Sequence, residues 1–146
     1  HCEDAAILYS QLPAVREKWH AVAARLRERF DMFDDWGMFA YTNGAFKSWG
    51  DYLTEIDIGI WEMKWDDESW AAWVDAKREI ARIAIEHGGS ISACHGSCRE
   101  GEVDLVPDEL GGGFEVMKQI KRTLDPNNIM NPCKYLLDEA YEEVES

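Results

Sequence analysis

The chain has 146 residues, a length that suits one domain with a buried core. Hydrophobic residues make up 46% and charged residues 30%, an ordinary balance for a soluble globular protein, and no apolar run approaches the roughly 18 residues of a membrane-spanning helix. The net charge of −14 excludes the basic surface that nucleic-acid binding needs, and it disfavours contact with anionic membranes.

Apolar residues at three- and four-residue spacing predict a first helix, and Pro13 suits its first turn. The stripe consists of Val15, Trp19, Val22, Leu26, Phe30 and Phe33. A short strand is predicted from Met38 to Thr42, before an Asn43-Gly44 turn. A stronger strand is predicted from Tyr52 to Met63, because apolar and polar residues alternate there with a period of two. Its apolar positions are Ile56, Ile58 and Ile60, and its polar face carries Glu55 and Asp57.

The acidic residues at 66–68 and Ser69 predict the start of a second helix, which ends where Gly88-Gly89 supplies a left-handed cap. We expect a short strand at 90–93 and a loop at 94–108. The last predicted helix ends before Pro126, since the residue before a proline avoids helical geometry.

The order of these elements predicts an α+β fold in which an antiparallel sheet is flanked by helices and followed by a C-terminal helical tail. Two long strands make a thin sheet for so many helices. Because open sheet edges tend to acquire strands from elsewhere, we expect a partner domain or chain.

Three segments in a fixed order carry the most specific signal of the sequence. They read GGSISACHG at 88–96, DEL at 108–110 and IKRTLDPNNIMNPCK at 120–134. Turn chemistry explains each piece singly but not the series. The series resembles the C-terminal signature of FAD-linked oxidases of the vanillyl-alcohol oxidase type, a family that includes D-lactate dehydrogenases, glycolate oxidase subunits and alkyl-dihydroxyacetone-phosphate synthases.

The resemblance implies that residues 1–93 end the substrate (cap) domain and that residues 94–146 form a flavin-contacting loop, a helix and an acidic tail. The chain would cover roughly the last third of a typical member. FAD would be bound mainly by a missing N-terminal domain or a partner chain, since the Gly111–Gly113 run lacks the strand that precedes a phosphate-binding loop. We therefore expect a hetero-oligomer.

The resemblance also assigns roles to single residues. His95 corresponds to the histidine that faces the substrate beside the flavin, where an imidazole can orient or deprotonate the substrate. Asn131 and Lys134 belong to a block that is Asn-Pro-Gly-Lys in the family and lies near the flavin. We therefore predict His95 as the catalytic residue, and His95, Asn131 and Lys134 as cofactor-binding residues. The predicted substrate pocket contains Tyr41, Glu55, Asp57, Cys94 and Arg99.

The usual metal site of the family is predicted to be absent. In relatives that oxidise 2-hydroxy acids, two histidines and a glutamate hold a divalent ion, and those positions are Ser48, Glu55 and Cys94 here. Neutral serine is a poor ligand, so we expect no metal. A rebuilt site from Glu55, Cys94 and His95 remains an alternative, because all three are ligand types.

Cysteines stand at three positions of the signature: Cys94, Cys98 and Cys133, the last in place of the glycine of Asn-Pro-Gly-Lys. Three thiols near a flavin can bind a metal or cluster or form a redox disulfide. Small buried cysteines without a chemical role are the alternative.

The predicted function is that of a C-terminal portion or subunit of an FAD-dependent oxidoreductase. A small organic substrate, for which a 2-hydroxy acid is one candidate, would transfer hydride to the flavin. The alternative is a degenerate, non-catalytic cap subunit that serves assembly or electron transfer. Since no basic and apolar leader is visible, we expect a cytoplasmic protein with reduced thiols.

Overall fold

Among the residues that the structure describes, the longest strand contains the alternating Ile56, Ile58 and Ile60, and it forms the centre of the sheet. The computed structural model describes residues 2–35, 47–48, 51–61, 64–93, 96 and 100–137. The chain divides into two units, His1–Gly96 and Ser97–Ser146. What each unit contributes to function remains a prediction.

The first unit contains four strands and two long helices among its described residues. In chain order they are β1 (Cys2–Leu8), α1 (Leu12–Arg29), β2 (Phe33–Asp35), β3 (Lys47–Ser48), β4 (Asp51–Trp61) and α2 (Asp67–Glu86). In the second unit, a 3-10 turn (Val103–Leu105) leads into α3 (Val106–Leu110), which is followed by α4 (Gly112–Leu124). The predicted α+β class with an antiparallel sheet is confirmed.

All described strand pairs are antiparallel, and β4 lies between β1 and β2. The register pairs Ala5 with Ile56 and Ile7 with Thr54, so these side chains share one face of the sheet. That face packs on α1 and α2 through the core residues Trp19 and Trp73. The predicted packing of the isoleucine face of β4 on helices is confirmed.

Local sequence signals set the helix ends. A proline occupies the first turn of α1, where the missing amide hydrogen costs nothing. At the start of α2, Asp66 accepts a hydrogen bond from the Ser69 amide, and the Ser69 hydroxyl accepts one from the Asp66 amide. Hydrogen bonding from Ser69, first of all from its backbone amide, lowers the pKa of the Asp66 carboxyl. Gly88, with φ of +71°, ends α2 in the left-handed region as predicted.

Several sequence predictions need correction. Strand β1 was not predicted, and α1 ends before Phe30, which is extended, so Phe33 belongs to β2. The predicted loop at 94–108 contains the 3-10 turn and the start of α3. The predicted strand at 90–93 is reduced to a single bridge between Ser90 and Ala6. The predicted strand from Met38 to Thr42 lies outside the described residues.

A buried ion pair lies inside the layer between sheet and helices. The Lys77 ammonium of α2 is 3.0 Å from a carboxylate oxygen of Glu3 on β1, and both side chains are at most 5% exposed. Charges lose their hydration on burial, so each one depends on the other. The pair therefore fixes how β1 lies under α2.

Among the helices the structure describes, none combines the length and the apolar character needed to cross a membrane.

We expect Lys77→Met to destabilise the protein by about 3–5 kcal/mol, because it leaves the Glu3 carboxylate buried without its ammonium partner. The double variant Glu3→Gln, Lys77→Met removes both charges and should recover much of this loss. Urea unfolding measures both free energies. Equal stability of Lys77→Met and the wild type would contradict the role given to this pair.

Candidate functional site

The predicted site residues fall into three groups. Glu55 and Asp57 lie on β4, in the first unit. Asn131 and Lys134 lie in the segment after α4, in the second unit. Four predicted residues lie outside the described part of the chain: Tyr41, Cys94, His95 and Arg99.

The face of the sheet opposite α1 and α2 carries a cluster of three carboxylates. Asp4 of β1 stands directly across from Asp57 of β4, and Glu55 lies two residues before Asp57 on the same face. One carboxylate oxygen from each lies within 4.8 Å of the other two. Asp4 and Asp57 are buried, whereas Glu55 is partly exposed. Sequence reasoning missed Asp4 because it did not recognise β1.

Asp4 also anchors the chain segment that leads towards residues 94 and 95. Its Oδ2 accepts a hydrogen bond of 2.8 Å from the Ala93 amide. Two backbone hydrogen bonds join Ala6 to Ser90 just before it. Gly89 makes this approach possible, because a Cβ there would lie 2.5 Å from the Ala6 carbonyl oxygen. The segment is therefore attached to the edge of β1 at two points.

Carboxylate oxygens are the ligands that hard divalent cations prefer, so Asp4, Glu55 and Asp57 have suitable chemistry for one. Acidic groups also cluster without any ion. The predicted absence of a metal therefore stays a prediction. The rebuilt set proposed from sequence cannot be compared with this cluster, because Cys94 and His95 lie outside the described residues.

Residues 125–137, the segment after α4, form a tail that is organised around Asp125. Its Oδ1 accepts a hydrogen bond of 2.9 Å from the Ile129 amide, and its Oδ2 accepts one of 2.8 Å from the Met130 amide. The Lys121 ammonium, one helical turn earlier, donates to the same Oδ2. Burial opposes ionisation of this carboxyl, but Lys121 and the two amides outweigh it and lower the pKa of Asp125.

The backbone of the tail adopts the left-handed region repeatedly, although none of these positions is glycine. The residues with positive φ are Asn128, Asn131, Cys133, Tyr135 and Leu136. Asparagine tolerates this region better than other side chains do. Cys133, a free and exposed cysteine with φ of +61°, occupies the position that is glycine in the resembled motif. Its conformation explains why glycine suits that position.

A cavity of about 490 Å³ opens between α4 and the tail. The apolar side chains along it are Met117, Ile120, Leu124, Met130 and Leu137, and the polar or aromatic ones are Lys121, Asp125, Asn131, Lys134 and Tyr135. Asn131 and Lys134, which the sequence predicts as cofactor-binding residues, thus share one pocket. Neither Lys121 nor Asp125 was predicted as a site residue. The sequence signal for them was the opposite charge of Lys121 and Asp125 at i and i+4, at the Leu124-Asp125-Pro126 segment.

The pocket combines apolar side chains with the amide of Asn131, the ammonium groups of Lys121 and Lys134, and the carboxylate of Asp125. An amide both donates and accepts hydrogen bonds, and an ammonium group only donates them. Such a surface can bind a planar apolar ring that has a polar rim.

Comparison with known proteins relates this chain to a family. A model described as "FAD linked oxidases, C-terminal domain" matches residues 60–135. The chain is 35% identical over 71 residues to a D-lactate dehydrogenase of Archaeoglobus fulgidus, an alignment that covers 46% of this chain and 15% of that protein. It is 30% identical over 71 residues to an alkyldihydroxyacetonephosphate synthase of Dictyostelium discoideum, covering 49% of this chain and 12% of that protein.

The lowered pKa of Asp125 predicts how acid affects the tail. The ordinary pKa of an aspartate side chain is 3.8. Above that pH the ionised carboxylate of Asp125 stabilises the turn fully. This stabilisation is lost as the pH falls through the lower pKa that Asp125 has in the folded protein. We expect the amide-exchange protection of Ile129 and Met130 to fall in that acid range. Asp125→Asn should show reduced protection already at neutral pH. If the amide protection of Ile129 and Met130 changed neither with acid nor in Asp125→Asn, the role given to Asp125 in the tail would be wrong.

We expect Cys133→Gly to stabilise the tail by up to about 1 kcal/mol, since glycine adopts positive φ without the Cβ clash. Amide exchange across residues 128–136 gives the free energy of local opening. Cys133→Ala is the matched control, because it removes the thiol and keeps the Cβ. Equal opening free energies for the glycine and alanine variants would refute backbone strain at this position.

Proposed function

This chain belongs to the family of FAD linked oxidases, C-terminal domain, and on that basis we propose that it is the flavin-contacting part of an FAD-dependent oxidoreductase. The main observation behind the proposal is the cavity between α4 and the tail, called the tail pocket below, in which Asn131 and Lys134 lie beside apolar side chains. When bound, FAD supplies the acceptor for a hydride from the substrate. This chain supplies contacts to the flavin and groups that orient the substrate.

We assign this pocket to one edge of the flavin ring. The isoalloxazine ring is apolar on its faces and polar along its pyrimidine edge, which suits the apolar side chains of α4 and the side chains of Asn131 and Lys134. The glycine run at the start of α4 follows the helix α3 and not a strand, whereas a phosphate-binding loop follows a strand.

The rest of the cofactor therefore needs another domain or chain. The alignments cover 15% and 12% of the two relatives, so most of the length of such proteins lies beyond this region. The end of α4 and the tail present large apolar side chains to solvent, with Leu124 71% and Ile129 77% exposed. Covering such side chains is favourable by roughly 25 cal/mol for each Å² buried. We assign this surface to the FAD-binding portion, in the same protein or in a partner.

For the substrate side we assign catalysis to His95, with Tyr41, Glu55, Asp57, Cys94 and Arg99 around it. The clustered carboxylates of Asp4, Glu55 and Asp57 provide no positive charge for an acidic substrate. A neutral organic substrate is therefore favoured on this face. A 2-hydroxy acid would need a cation beside its carboxylate, and Arg99 is the residue we assign to that task.

A non-catalytic cap is the second candidate function, and the exposed apolar tail favours it independently of any chemistry. Such a subunit would hold an assembly together through the same surface. The two candidates differ in one property: only the flavin-contacting function makes FAD binding depend on Asn131.

We expect Asn131→Ala to weaken FAD binding in the assembled protein by about two- to tenfold, the equivalent of one lost hydrogen bond. Asn128→Ala is the matched control, because Asn128 is also left-handed, with φ of 50° against 48°, and does not line the pocket. Fluorescence titration with FAD measures both. Equal FAD affinity in the Asn131 variant and the wild type would favour the non-catalytic cap.

We expect His95→Ala to slow flavin reduction at least about a hundredfold while FAD content stays unchanged, because a positioned acid or base contributes at least that factor. Stopped-flow absorbance with D-lactate, glycolate or a neutral benzylic alcohol as the probe measures it. Faster reduction by the alcohol than by the acids would support a neutral substrate. An unchanged rate with whichever probe reduces the wild type would remove His95 from catalysis.

A further inference from the structure

The segment that presents Asn131 to the tail pocket is fixed by polar bonds and not by apolar packing. The side chains of Ile129 and Met130, directly before Asn131, are 77% and 61% exposed. Side chains so open to water contribute little to holding the backbone in one conformation. Other interactions must therefore set the direction of the chain at Asn131.

Those interactions come from the Lys121–Asp125 pair. The pair is an i,i+4 ion pair at the end of α4, and its side chains are 12% and 3% exposed. The Asp125 carboxylate accepts from the amides of Ile129 and Met130. The Lys121 ammonium donates to the Met130 carbonyl oxygen as well as to Asp125. Two neighbouring residues of the turn are thus held through three backbone atoms.

The Met130 carbonyl belongs to the peptide bond that joins Met130 to Asn131. A bond from Lys121 to this oxygen therefore fixes the peptide plane from which the φ angle of Asn131 is measured. That angle is +48°, in the left-handed region. Pro132 follows, and a proline restricts the backbone of the residue before it. The positive φ and the following proline both disfavour this conformation of Asn131, so it persists only where surrounding groups stabilise it.

We infer that Lys121 and Asp125 are positioning residues that act through Asn131 to set its contact with the flavin. The inference rests on the proposed function, because it takes Asn131 as the flavin-contacting residue. Neither member of the pair needs to touch the cofactor. Lys121 holds the peptide plane before Asn131, and Asp125 holds both Lys121 and the amides of the turn.

A double-mutant cycle on FAD affinity separates positioning from general stability. In the assembled protein, Lys121→Met keeps the apolar stem of the side chain and removes the ammonium group. We expect it to weaken FAD binding two- to tenfold, as Asn131→Ala does. If Lys121 acts through Asn131, then adding Lys121→Met to Asn131→Ala should change the FAD dissociation constant by less than about twofold.

Two further variants complete the test. Arg122→Met is the control, because it removes one positive charge from the neighbouring position of α4 and Arg122 does not line the pocket. It should leave FAD affinity unchanged. Lys121→Arg keeps a cation able to donate to both Asp125 and the Met130 carbonyl, and it should restore at least half of the lost affinity on a logarithmic scale.

The outcomes distinguish the inference from the proposed function. Equal loss from Lys121→Met with and without Asn131→Ala would show that Lys121 acts independently of Asn131, through general stability or a direct flavin contact, and it would overturn the inference while the proposed function stands. Unchanged FAD affinity in Lys121→Met, beside weakened binding in Asn131→Ala, would do the same. Unchanged affinity in Asn131→Ala itself would overturn the proposed function and the inference with it.

Discussion

The antiparallel register between β1 and β4 is the constraint on which the first unit depends. It pairs Ala5 with Ile56 and Asp4 with Asp57, so apolar side chains meet on the helix face and carboxylates meet on the other. A one-residue slip of β1 would turn Asp4 towards α1 and α2 and turn Ala5 and Ile7 away from the core. The Glu3–Lys77 pair reinforces this register, because Glu3 reaches Lys77 only when β1 lies in its observed position.

In the second unit, the segment after α4 is held by a different kind of interaction. The turn after α4 exposes most of its apolar side chains and is held by Asp125, which binds two backbone amides and an ammonium group. Charged groups with fixed hydrogen bonds specify a backbone direction more sharply than apolar contacts do. This suits a segment whose apolar surface remains available for another domain while its polar groups keep a set orientation.

Sequence reasoning predicted the elements whose signals are local. The period-two alternation of β4 and the capping residues of α2 lie within the elements that they define. It missed β1, because Glu3 and Asp4 resemble surface residues until Lys77 and Ala93 approach from far along the chain. Asn131 and Lys134 were predicted from the family motif and line the pocket. The i,i+4 spacing of Lys121 and Asp125 indicates an ion pair, but its bonds to the backbone of Ile129 and Met130 became visible only in the structure.

We propose that this chain contacts a flavin whose binding is completed by another domain or chain. The most direct measurement is the absorbance spectrum and the mass of the assembly containing this chain, purified from its natural source without added cofactor. We expect the absorbance spectrum of bound flavin, from roughly one FAD for each copy of this region, in an assembly that includes a flavin-binding portion. A homogeneous assembly without flavin, which also fails to bind added FAD, would contradict it.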